Sequence, residues 1–206
     1  MTWSAYWTGL VVLGAYHGVN PGMGWLFAVA RGLQQQSRRA VLVSLLPIAA
    51  GHEGSVAAIL LAAALARPFL DQRGLRFAAA GALVGFAILL LLRRRLHPYL
   101  GMRLSLVGLA AWSFLMSSAH GAGLMAVPLY LGLQVPAPGQ LQVPAGILQA
   151  LAAATLHTTA MLTVMGIVAV LVYDRFGLGL LRRAWVNLDL VWVGALLVAG
   201  VATLFS

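Results

Sequence analysis

Six apolar runs, near residues 4–30, 40–66, 76–92, 104–133, 146–172 and 185–205, take up most of this 206-residue chain, separated by short stretches that carry nearly all of its charge. About 20 apolar residues suffice to cross the hydrocarbon core of a bilayer as a helix. Such a chain cannot fold as a soluble domain: 62% hydrophobic against 8% charged residues, at a mean hydropathy of +0.94, leaves too little polar surface to face water. The expectation is an all-α membrane protein of six transmembrane helices, one polytopic unit over residues 1–206 with no room for a separate soluble domain.

The net charge of +9 would suit a nucleic-acid binder, but all thirteen cations are arginines gathered at the ends of apolar runs. A basic face with aromatic platforms, which nucleic-acid binding requires, is missing. The arginines instead read as an orientation signal. Loops one, three and five hold three, four and three of them, whereas loop two holds three and loop four none. The positive-inside rule then makes the odd loops cytoplasmic and both termini external, in a cytoplasmic (inner) membrane. The first residues, Met1 to Trp7, lack a basic n-region, so the first run is expected to stay as a helix and not to be cleaved as a signal peptide. Absence of cysteine removes disulfides, thiolate metal sites and thiol relays.

The two halves echo each other. Tyr16-His17-Gly18, leading to Gly32-Leu33-Gln34, recurs as Ala119-His120-Gly121, leading to Gly132-Leu133-Gln134; Gly51-His52-Glu53-Gly54 is matched by Leu156-His157-Thr158-Thr159. Repeat 1 spans about 1–96 and repeat 2 about 104–206. Three spans per half turn the second repeat upside down relative to the first, and inverted repeats of this kind place a substrate site at the bilayer midplane.

The histidines fit that geometry. His17 is fourteenth in its 27-residue segment, His52 thirteenth of 27, His120 seventeenth of 30 and His157 twelfth of 27, so four helices each bring one imidazole to mid-depth. A single such residue serves as helix glue through an interhelical hydrogen bond, but an intramembrane ionisable group is costly and defaults to function. Neutral imidazole is the commonest side-chain ligand of borderline divalent metals, and four can surround one ion. Backbone breaks accompany them: Pro21 cannot donate to the carbonyl of His17, Gly22 and Gly121 loosen adjacent turns, and Pro47 and Pro128 mark further break or gating points. Carbonyls exposed at such breaks serve as ion ligands in many carriers.

His17-Gly-Val-Asn20-Pro21-Gly22-Met23 resembles the first-helix signature of the nickel/cobalt permeases, the NicO-like group of the LysE-like transporter superfamily, which often reads His-Ala-Leu-Glu-Pro-Gly-His or His-x-x-Asp-x-Asp-His. Gly51-His52, followed by small and β-branched residues, resembles that group's second conserved helix. The resemblance implies a six-helix metal permease over nearly the whole chain, with His17 and His52 as ligands. Two positions depart from it: Asn20 replaces an acid and Met23 a second histidine. Both changes lower the charge of the site and soften it, weakening the case for nickel or cobalt and leaving room for Cu(I).

Met116, four before His120, and Met161, four after His157, share the faces of those histidines and are further candidate ligands. As thioethers they are also ordinary core fillers. Glu53 adjoins His52 but points about 100° away on an ideal helix, as a supporting partner or counter-charge. Asn187 and Asp189, one turn inside the last run, suit a cytoplasmic entrance, or an ion pair between Asp189 and Arg182 or Arg183. The expected function is transport of a transition-metal ion as substrate, with nickel, cobalt, copper, zinc and iron not distinguished. No organic cofactor is expected, and the partners are membrane lipid, the ion and, as an open choice, further copies of the chain. The alternatives are a bis-His haem protein for electron transfer and an amino-acid or small-molecule exporter using the histidines as proton relays. No metal-protease motif, nucleophile elbow or phosphate loop points to an enzyme.

Overall fold

The computed structural model describes residues 3–66, 69, 72–92, 105–133 and 143–175, with Gly194, Leu197, Val198, Gly200, Val201 and Thr203. Every element within them is helical. Helix α1 covers Trp3–Val19, a 3-10 turn covers Pro21–Met23, and α2 covers Trp25–Gln34; α3 follows at Arg38–Ala66, α4 at Gln72–Leu92, α5 at Leu106–Ala119, α6 at Ala122–Leu133 and α7 at Val143–Arg175. Two of these, Arg38–Ala66 and the Ala145–Arg175 part of α7, are long and apolar enough to cross a membrane. Helices α5 and α6, bent by 64°, make a third when counted as one broken span. Most of the sixth apolar run, with Asn187 and Asp189, and loops three and four lie outside the described residues.

The expected first span is two helices. Pro21 has no N–H, so the helical ladder fails and Asn20 N donates instead to His17 O at 3.2 Å in a tighter turn. Asn20 then starts the 3-10 turn, its Oδ1 accepting from Gly22 N at 2.8 Å. Gly24, at φ 118°, adopts a conformation that an L side chain resists and lets α2 leave in a new direction. Trp25 Nε1 donates to Val19 O at 3.1 Å, satisfying a carbonyl that the break orphans. The second break is tighter, with His120 ending α5 and Gly121 turning the chain at φ 69°. Pro47 and Pro128 correct the expectation of further breaks, since both lie inside helices. A lone proline removes one ladder bond, and both helices continue past it.

Close backbone contacts set the packing. In α1, Gly14 lies against His157 O and Gly18 against Met161 O, so α1 and α7 run parallel at a separation that a side chain would not permit. In α3, Gly51 abuts Ala110 O, and Ser55 and Ser118 share a hydrogen bond of 2.9 Å, so α3 and α5 also run parallel. The two pairs are antiparallel to each other: the start of α3 meets the end of α7 in an exposed Arg38–Asp174 ion pair at 3.6 Å. Helix α2 packs on α3 and α7, while α6 packs on α1 and α3.

Two apolar clusters fill the bundle. The one nearer the Arg38–Asp174 pair includes Met23, Phe27, Leu45, Ile48, Trp112, Met161 and Met165; the other includes Leu10, Val56, Leu60, Ala126, Tyr130 and Ala154. The histidines lie where the chain passes from one cluster to the other: His52 between Ile48 and Val56, His157 between Ala154 and Met161, His120 between Trp112 and Ala126, and His17 between Leu10 and Met23.

Candidate functional site

His17 on α1, His52 on α3 and His157 on α7 form a triangle of rings. Ring centroids are 5.6 Å apart for His17 and His52, 5.1 Å for His17 and His157, and 5.4 Å for His52 and His157. All three residues are fully buried. The last pair is nearly parallel, at 16°, with the two Nε2 atoms 3.2 Å apart. His120, also buried, sits at the α5–α6 break within electrostatic range of His17.

Backbone carbonyls fix which nitrogen of each neutral ring carries its proton, because a carbonyl only accepts. His17 Nδ1 donates to Leu13 O at 2.7 Å and His120 Nδ1 to Met116 O at 2.7 Å, the same bond to the preceding turn in both halves of the chain. His157 Nδ1 donates to Leu10 O at 3.2 Å, across the close α1–α7 contact. Nε2 is therefore the unprotonated nitrogen on these three rings. For the His52–His157 bond to form, His52 Nε2 must be the donor. His52 Nδ1 is then an acceptor, buried with no hydrogen-bond partner in the protein.

The other expected site residues fall around this layer. Asn20 is buried, its Oδ1 engaged by the 3-10 turn and its Nδ2 without a partner. Met23 and Met161 are fully buried in the cluster nearer the ion pair, with Met116 packed against it. Glu53 accepts from Thr155 Oγ1 at 3.1 Å, an α3–α7 link. Pro21, Gly22 and Gly121 are at the two breaks, and Pro47 and Pro128 within helices. In this arrangement, and among the described residues, no three His, Cys, Asp or Glu side chains are disposed to hold a metal ion. His52 and His157 are engaged with each other.

Sequence reasoning missed Ser113 and Ser117, fully buried hydroxyls of α5 with no partner, and Thr158 beside His157, buried and likewise unpartnered. Ser113, Ser117 and His120 stand at i, i+4 and i+7, a spacing that puts them on one helical face and was there to be read. No protein-family model, curated protein sequence or solved structure matches this chain.

Proposed function

We propose that the chain is a transition-metal-ion membrane transporter that binds its ion through His17, His52, His120 and His157. The observation that carries the reading is the set of three Nδ1-to-carbonyl bonds, which orient neutral imidazoles and present Nε2 as the ligand nitrogen, as the outer partners of metal-bound histidines do. The 3.2 Å between Nε2 of His52 and Nε2 of His157 is close to the ~3.3 Å between two nitrogens bound at 2.0–2.1 Å to a tetrahedral ion. Binding an ion through both Nε2 atoms would replace their hydrogen bond and require His52 in its other neutral form, with the proton on Nδ1, exchanged by way of water. The rest of the layer supplies the third and fourth nitrogens.

The packing supports two inverted three-helix repeats within a six-helix, N-out/C-out protein. Parallel α1–α7 and parallel α3–α5, antiparallel to each other, are what a twofold axis in the membrane plane produces, and the α2–α7 and α3–α6 contacts exchange in the same way. The Arg38–Asp174 pair supports placing loops one and five on one side. Alternating access would expose the histidine layer first past one apolar cluster and then past the other.

A haem between His52 and His157 would hold their Nε2 atoms at about twice a metal–nitrogen bond, ~4 Å, on opposite faces of a macrocycle. Their 3.2 Å contact leaves no room for one. The second reading is a small-molecule exporter in which the His52–His157 bond relays protons; transport that survives metal depletion would select it. Calorimetric titration of the purified protein with Ni²⁺, Co²⁺, Cu⁺, Zn²⁺ and Fe²⁺ tests the first. Saturable binding that falls at least about a hundredfold in the His17→Ala/His52→Ala/His120→Ala/His157→Ala variant is the expected result. Equal binding by both proteins overturns it.

A further inference from the structure

Several hydroxyls elsewhere in this bundle satisfy themselves on the preceding turn. Ser44 Oγ donates to Ala40 O at 2.6 Å, Ser118 Oγ to Phe114 O at 2.8 Å, Thr159 Oγ1 to Thr155 O at 2.7 Å and Thr163 Oγ1 to Thr159 O at 2.8 Å. Ser113 and Ser117, 0% exposed, do not, and their Oγ atoms have no hydrogen-bond partner in the protein. Both were free to make the same bond, since each has a helical residue four positions earlier. Leaving a buried hydroxyl unsatisfied costs about 1–3 kcal/mol, so two of them a turn apart call for an occupant.

The surroundings identify its chemistry. Ser113 and Ser117 share a face with His120, and α5 packs against the Pro21–Met23 turn that Asn20 starts. Asn20, 6% exposed and at the start of that turn, has an Nδ2 with no hydrogen-bond partner in the protein. The adjacent α3 contact, Gly51 on Ala110 and Ser55 on Ser118, puts Ser113 and Ser117 in the stretch of α5 that runs beside residues 51–55, which include His52. Two hydroxyls, which both donate and accept, and one amide donor carry no net charge, and the ligand that suits such a set is water.

We propose that Ser113, Ser117 and Asn20 form a hydration pocket opening onto the histidine layer from the α5 side, holding water that the transported ion keeps or takes up in transit. The ion would therefore exchange water with this pocket as it enters and leaves the histidine layer. The inference rests on the reading of the layer as an ion site, but the pocket itself is testable without any ion.

The chain has no cysteine, so single cysteines report without background. A thiol reacts as its thiolate, which forms readily beside water and poorly in apolar surroundings. Protein in lipid vesicles carrying Ser113→Cys or Ser117→Cys is compared with Ala154→Cys, a position equally buried but inside the apolar cluster. The expected result with a small methanethiosulfonate reagent is labelling at least about tenfold faster at both serine positions than at Ala154. A smaller difference at both overturns the pocket. Titration of wild-type protein with Ni²⁺, Co²⁺, Cu⁺, Zn²⁺ and Fe²⁺, run alongside, separates the two claims: metal binding without fast labelling removes the pocket alone, and fast labelling with no binding of any of the five removes the ion assignment while the pocket stands.

Discussion

The two helix breaks solve one problem with different parts. The first runs from Asn20 to Gly24 and uses a proline, a side-chain cap, a 3-10 turn and a glycine at φ 118°. The second needs only His120 and Gly121, with φ 69° at the glycine and a 64° bend. Yet His17 and His120, on the N-terminal side of each break, make the same 2.7 Å bond from Nδ1 to the carbonyl four residues earlier. The imidazole is thus aimed by the regular turn before the break. The break adds what the helix cannot, a change of direction and, in the first case only, the amide of Asn20.

If the breaks are equivalent in aiming their rings, His17→Ala and His120→Ala should weaken metal binding alike, by about ten- to a hundredfold, while His52→Ala or His157→Ala costs at least the upper end of that range. Calorimetry that separates His17→Ala from His120→Ala by more than about tenfold breaks the equivalence. Backbone strain should separate the two sites. Gly24→Ala is expected to destabilise the protein by about 1–3 kcal/mol, and Gly121→Ala, nearer the left-handed helical region, by about 1–2 kcal/mol. Unfolding in detergent ranks them, and a larger loss at Gly121 would reverse the assignment of strain.

Acidity should not distinguish the breaks. Protonation removes the lone pair that an ion needs, so any change in affinity as the pH is lowered should be a loss. Titrations at pH 7.5 and 5.5 on His17→Ala and His120→Ala should give the same sign; affinity that rises with acidity in either would remove imidazole coordination there. The smallest effect is expected at the cap. Asn20→Ala loses the bond to Gly22 N for about 1 kcal/mol of stability. At the second break the side-chain bond is that of His120 Nδ1 to Met116 O, and a neutral Asn20→Ala would show that the proline and glycine suffice at the first.

Helical character was legible, as were the two or three of the six expected spans that are long and apolar enough to cross a membrane, because 3.6-residue geometry and hydropathy are local properties. The position of each histidine within its run was legible for the same reason. Break points were legible only in part. Asn20-Pro21-Gly22 and His120-Gly121 combine a lost donor or a helix end with a glycine able to take a positive φ at or close to the turn, whereas Pro47 and Pro128 have no such partner and stay helical. The carbonyls of Leu13, Met116 and Leu10 left no trace in the sequence, since any residue supplies the same acceptor. Ser113 and Ser117 looked like ordinary small residues of a membrane helix until the absence of their back-bonds to α5 set them apart.

The glycine contacts have a mechanical consequence. Gly14 and Gly18 lock α1 onto α7, and Gly51 locks α3 onto α5, by bringing backbone against backbone where sliding meets immediate steric resistance. The stiff units are therefore hybrids, each made from one helix of either repeat, and neither coincides with a contiguous half of the chain. The seam between the hybrids runs where α3 faces α7. His52 and His157 are hydrogen-bonded across that seam, as are Glu53 and Thr155, so the pair proposed as ion ligands also ties the two hybrids together.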